Sequence, residues 1–168
     1  SYQASLDSLK IFIDPLQKEL ILNRLIKTHP KDDFTKYKAL LVDNFIIAKN
    51  ASRALLNFNQ IEQTARIMYV GTVGPGLMTF DLNAAEKLIE QELKNPTNAP
   101  EDRWFLLHMY SQVLAKQGNY KKAFAAMKDC YDQAVRKTPR LTAEYYYLMS
   151  KTGGYQEALP ELEKAVLA

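Results

Sequence analysis

Side chains able to do chemistry are few in this chain and lie far apart. Its 168 residues include two histidines, His29 and His108, and one cysteine, Cys130. Thiol catalysis needs a base beside the sulfur and a third group that orients the base. His29 stands next to a loop proline and His108 in a helical run, so no such set is formed by spacing. A metal site needs His, Cys or carboxylate ligands at close intervals, and no such cluster occurs. A single cysteine also excludes an intramolecular disulfide and an all-thiolate metal site. No catalytic residue, metal or cofactor is expected, and Cys130 reads as a buried structural thiol.

Two further stretches invite a chemical reading. Gly71-Thr72-Val73-Gly74-Pro75-Gly76 is rich in glycine. A phosphate-binding loop sets its glycines between a strand and a helix, and the Walker type adds Lys-Ser/Thr. Here the preceding segment reads helical and no lysine follows, so the stretch is expected to be a plain loop that ends a helix. Tyr145-Tyr146-Tyr147 is the other. At about 100° per helical residue the three cannot share a face. Two are expected in the core, with Tyr147 either an ordinary surface residue or a contact for a partner.

The elements that must carry these residues are helices. The chain is 47% hydrophobic, enough for a core, and its net charge is only +3. Residues 1–76 hold ten Lys/Arg against seven Asp/Glu, while residues 77–168 hold twelve of each. The basic excess is too thin and too little interleaved with aromatics for a nucleic-acid surface. No apolar run approaches the roughly 18 residues of a membrane span, and no signal peptide is visible. Compartment stays open between cytoplasm and a bacterial periplasm or envelope. A chain that begins with Ser1 and stops at Ala168 without a polar cap reads as part of a larger protein.

Start and stop signals place the helices. A short helix is expected over residues 4–13. Asp14-Pro15-Leu16-Gln17 then opens a helix that runs to about Thr28, where His29-Pro30 breaks it. Phe34, Tyr37, Leu41, Phe45 and Ala48 share one helical face, as do Leu55, Phe58, Ile61, Ala65 and Met68, with Asn50 at the junction. Asp81 caps a helix with Leu82, Ala85, Ile89 and Leu93 inward. Residues 95–100 form a loop, and Glu101 and Asp102 place acid in the next first turn. Thr138-Pro139 opens the penultimate helix, and Pro160 falls near the first turn of the last. No segment alternates with period two, so no sheet is expected.

The C-terminal part repeats itself at an offset of 35 residues. Leu106, Tyr110, Lys116, Gly118, Tyr120 and Ala123 recur as Leu141, Tyr145, Lys151, Gly153, Tyr155 and Ala158. Leu114, Met127 and Cys130 recur in kind as Met149, Leu162 and Ala165. A period in this range marks stacked helical repeats.

These residues resemble the tetratricopeptide repeat (TPR) family, clearly over residues 101–168 and in degenerate form before that. Gly118-Asn119-Tyr120 and Gly153-Gly154-Tyr155 are similar to its turn, and Ala123 and Ala158 to its second helix. Trp104 opens the first unit, where a buried anchor would cost about 3–5 kcal/mol to truncate. Ser111 and Tyr146 depart from the small residue usual at their position, and Met127 and Leu162 from the usual aromatic. The resemblance implies an all-α fold of antiparallel helix pairs stacked as a short right-handed superhelix. It divides the chain into a helical region over 1–76 and repeats over 77–168, with a partial unit at 81–100 and units at 104–138 and 139–168, as one continuous α-solenoid.

The same resemblance implies a non-catalytic module for protein interaction or scaffolding, which holds a peptide or partner helix in its concave groove. The groove positions would be Phe105, His108, Gln112 and Lys116 from one unit and Arg140, Ala143, Tyr147 and Lys151 from the next. Their mix of cations, amides and aromatics suits an acidic or C-terminal peptide. His108, Gln112 and Glu144 stand where chaperone-binding members carry a Lys/Asn clamp, so that ligand is not expected. The alternative is the helical N-terminal region of an exported bacterial thiol–disulfide oxidoreductase, whose thioredoxin-like domain, a neighbour in the same full-length chain, lies outside this sequence. That link is analogy of fold.

Overall fold

The structure, a computed structural model, describes residues 14–28 and 34–167, and side chains within them except at positions 100 and 165–167. The helix expected over residues 4–13 and the break at His29-Pro30 lie outside that range. Every regular element among the described residues is helical: α1 Pro15–Thr28, α2 Phe34–Ile47, α3 Ala51–Phe58, a 3-10 turn Gln63–Ala65, α4 Ile67–Leu77, α5 Leu82–Leu93, α6 Pro100–Lys116, α7 Tyr120–Gln133, α8 Pro139–Lys151 and α9 Tyr155–Leu167. None of them is long and apolar enough to cross a membrane. The chain divides into two compact units between Ala84 and Ala85.

In the first unit α2 is the central element, packing on α1, α3 and α4. Tyr37, Leu41, Val42 and Phe45 are buried along it, as the three-and-four spacing requires. Ala48 lies beyond its end and is exposed. Asn50 marks the junction: its side chain accepts the backbone N–H of Arg53 at 3.2 Å and caps α3. Lys38 is buried, and its ammonium donates to Asn57 Oδ1 at 3.2 Å. Burial lowers its pKa, because an ammonium is costly to hold away from water.

Two expectations fail in this unit. The face from Leu55 to Met68 is not one helix. The chain turns at residues 59–62, and Met68 is exposed. The Arg66 guanidinium stabilises the break, donating to the carbonyls of Asn59 at 2.6 Å and Ile61 at 3.0 Å. Nor is Gly71–Gly76 a loop. It lies inside α4, whose buried residues Val70, Val73, Gly74 and Leu77 form a stripe at helical spacing. Gly76 lets α4 approach α2 closely, since a Cβ there would sit 2.8 Å from Ile46 Cγ2. Tertiary packing thus outweighs the poor helix propensity of three glycines and Pro75.

In the second unit α6 packs on α7, α7 on α8, and α8 on α9. At the end of the first unit Asp81 caps α5, which runs on into the second, by accepting the N–H of Ala84 at 2.9 Å. The following loop is tied down by Asn95, whose Oδ1 accepts from Thr97 N at 3.0 Å and whose amide donates to Glu92 at 2.9 Å. Asp102 accepts the N–H of Ala99 at 3.2 Å, and Thr138 Oγ1 that of Leu141 at 3.2 Å, so both α6 and α8 start as expected. Pro160 stands in the second turn of α9, one turn later than its sequence setting implies.

The 35-residue shift is visible in the backbone. α6 ends at Lys116 and α8 at Lys151; α7 begins at Tyr120 and α9 at Tyr155. Gly118 has φ of 79° and Gly153 of 107°, conformations that an L side chain rarely adopts. Each turn closes with the same bond five residues back, Asn119 N to Leu114 O at 2.8 Å and Gly154 N to Met149 O at 3.1 Å. The core between the pairs joins Leu107 and Leu114 of α6, Ala123, Met127 and Cys130 of α7, and Leu141 and Leu148 of α8.

Trp104 is not a buried anchor. It is 40% exposed at the start of α6 and meets Phe105 edge-on at 6.4 Å between ring centroids. Of the tyrosine run, Tyr145 and Tyr146 are half-buried and Tyr147 is 45% exposed. Tyr145 stacks on Tyr131 of α7 at 4.4 Å.

Candidate functional site

A cleft of about 360 Å³ opens between α6 and α8. Its floor is apolar, from Ala115, Met127 and Leu148, and its walls carry Gln112, Lys116, Arg140, Glu144 and Tyr147. Helix periodicity explains the set: Gln112 and Lys116 are one turn apart on α6, as Arg140, Glu144 and Tyr147 are on α8. Core packing of Met127 and Leu148 between the helices fixes the spacing of the two walls.

Glu144 organises the polar side. One oxygen, Oε2, lies 2.5 Å from His108 Nε2 and 3.4 Å from the Gln112 amide nitrogen. The other, Oε1, accepts from Arg140 Nε at 3.0 Å. So short a contact with a carboxylate requires the proton on His108 Nε2, which makes the ring the donor. The Gln112 amide also approaches His108 Nε2 at 3.3 Å, but two donors do not pair, so its effective partner is the carboxylate. Burial alone would raise the pKa of Glu144. The hydrogen bonds from His108 and Arg140, with the nearby positive charge, outweigh that and bring it to about 2.

The remaining cations are less committed. Lys116 is exposed at the cleft wall and makes no ion pair among the described residues. Lys151 sits over the Tyr147 ring at 5.3 Å to its centroid. With Glu144 engaged by Arg140, the cleft wall keeps the charge of Lys116, and Lys151 lies beside Tyr147 outside the lining.

The structure therefore places Gln112, Lys116, Arg140 and Tyr147 on the cleft, with His108 joined to them through Glu144 and Lys151 set over Tyr147. Phe105 is half-buried against Trp104 and does not line the cleft. Glu144, named from the sequence only as a departure from the chaperone-binding clamp, is the residue whose organising role the spacing did not single out. The available signal was its distance of four from Arg140 on one helix, a favourable ion-pair spacing.

Cys130 is fully buried, and burial, with a smaller contribution from the charge of Glu144, pushes its thiol up to about 11. A thiol held in that form is a poor nucleophile. His29 lies outside the described residues. Among the described residues no three His, Cys, Asp or Glu side chains converge as metal ligands.

No known family profile and no curated protein matches this sequence. Among solved structures the fold is similar to the crystal structure of MamA, a TPR-containing protein, with a TM-score of 0.62 at 14% sequence identity. The superposition covers 87% of this chain and 83% of that one. At such identity the likeness establishes the fold alone, an all-α helical repeat of TPR-like form.

Proposed function

We propose that this chain is a non-catalytic interaction module that holds an acidic segment of a protein partner in the cleft between α6 and α8. The observation that carries the reading is Lys116, a cation that makes no ion pair among the described residues, on the wall of a cleft whose floor is apolar. An extended segment would place an apolar side chain on Met127 and Leu148 and a carboxylate near Lys116 and Lys151. Tyr147 adds aromatic area beside them. Glu144, held charged by His108 and Arg140, repels a carboxylate set on its own side and so selects the orientation of the segment.

The test is selection of a random peptide library on the wild-type chain, followed by titration of the enriched peptides. Acidic peptides with an apolar residue nearby are expected, with affinity that falls as salt rises. The double charge reversal Lys116→Glu with Lys151→Glu should abolish their binding while leaving the helical circular-dichroism spectrum intact. Enrichment of basic or uncharged peptides, or unchanged affinity in the folded double variant, overturns the reading.

A further inference from the structure

The bond that ties α6 to α8 beside the cleft leaves one proton site open. His108 Nε2 donates to Glu144 Oε2 at 2.5 Å. The other ring nitrogen, Nδ1, makes no hydrogen bond among the described residues. A second proton can therefore enter at Nδ1 without breaking the bond to Glu144. The ring is the donor in both states, and only its charge changes.

The cleft feels that charge through Glu144, which lines it. With a neutral ring, His108 and Glu144 together carry one negative charge, offset in part by Arg140 at 3.0 Å. With a protonated ring the pair is neutral, and Arg140 and Lys116 set the sign of the walls. The other groups around the ring keep their charge near neutral pH. On α6, Gln112 is uncharged, and Glu101 and Lys116 lie two turns away along the same face. From α8 come Arg140 and Glu144, the latter with a pKa of about 2. From α7, Cys130 lies close enough to Glu144 to feel its charge, and its buried thiol is pushed up to about 11. On α5, Glu90 and Glu86 accept from Tyr110 and Gln117, on the opposite side of α6 from His108. Imidazole is the side chain whose charge changes in the pH range of cells.

We propose that His108 makes the hold of the cleft on an acidic segment depend on pH: a proton at Nδ1 cancels the charge of Glu144 and strengthens binding, and its loss weakens binding. This rests on the reading of the cleft as the site of an acidic segment. The side chains of His108 and Glu144 are 19% and 28% exposed, so solvent screens the change only in part. The coupling is reciprocal, and a bound acidic segment draws a proton onto the ring.

The probe is a histidine-free acidic peptide enriched on the wild-type chain, titrated calorimetrically into the whole chain from about pH 6 to about pH 9. Its own carboxylates stay ionised across that range. Affinity should be about three- to tenfold higher at the acid end. His108→Gln keeps a donor toward Glu144 without a titrating charge, so its affinity should stay flat, near the wild-type value at high pH. A second measurement needs no change at the cleft. In His29→Gln, His108 is the one histidine left, and its proton NMR titration should move to higher pH when the peptide is bound. A flat affinity profile in wild type overturns the proposal, as does an unmoved NMR titration or a wild-type profile in folded His108→Gln. The reading of the cleft survives those results if Lys116→Glu with Lys151→Glu still abolishes binding. If no acidic peptide binds at any pH, both fall together.

Discussion

His108 and Glu144, 36 residues apart in sequence, meet at 2.5 Å and join the first helices of two successive pairs. The folded-state pKa of Glu144 falls from 4.5 to about 2. A depressed carboxylate pKa adds stability above the unfolded value, and that contribution is lost as pH falls through the folded one. Wild type should therefore lose this contribution between pH 4.5 and 2. Glu144→Gln should cost about 1–3 kcal/mol at neutral pH, since His108 and Arg140 lose a charged acceptor. Thermal melts of both proteins from pH 6 downward are the check, and their difference should shrink with acid.

Cys130 should react slowly. Its thiol is buried and held up to about 11, so at neutral pH it is neither exposed nor ionised. A maleimide or disulfide reagent should label the native chain over hours and the denatured chain within minutes. Complete labelling of the native chain within minutes would contradict the buried placement.

Trp104 and Leu114 should behave differently despite sharing α6. Leu114 is 0% exposed within the core, and Leu114→Ala should cost about 2–5 kcal/mol. Trp104 keeps 40% of its surface in water, so Trp104→Ala should cost about 1–2 kcal/mol. Equal losses in denaturant titrations would mean that the tryptophan anchors the pair after all.

What the sequence made legible were features with local causes. The turns at Gly118 and Gly153 need positive φ, and apolar periodicity fixes the helices on either side. Asn50, Asp81 and Thr138 cap where a short polar side chain reaches its own next turn. What stayed hidden has distant or competing causes. α4 persists through Gly71–Gly76 because Val70, Val73, Gly74 and Leu77 are buried together and Gly76 meets Ile46. The turn after Phe58 depends on Arg66 reaching back to two carbonyls. Glu144 acquires its place only when α8 lies beside α6.

The repeat turns give a backbone prediction free of packing effects. A Cβ added at Gly118 or Gly153 meets nothing within 4 Å, so only the left-handed backbone opposes it. Gly118→Ala and Gly153→Ala should each cost about 1–2 kcal/mol. The two effects should add, because the turns share no side-chain partner. Melts of the single and double variants test both statements.

Tyr147 separates stability from binding. It is 45% exposed on the cleft wall, with the Lys151 ammonium over its ring at 5.3 Å. Exposed aromatics away from the core contribute little to folding, so Tyr147→Ala should leave the melt within about 0.5 kcal/mol of wild type. For a segment bound in the cleft the ring supplies contact area at small entropic cost and positions the Lys151 charge. Affinity for peptides selected on the wild type should therefore fall about tenfold, roughly 1.4 kcal/mol, in Tyr147→Ala. Tyr147→Phe keeps the ring and its contact with the cation and should bind as wild type does. If Tyr147→Ala binds as tightly as the parent in calorimetric titrations, the α8 wall is not part of the recognition surface. A loss in Tyr147→Phe equal to that in Tyr147→Ala would instead assign the effect to the hydroxyl.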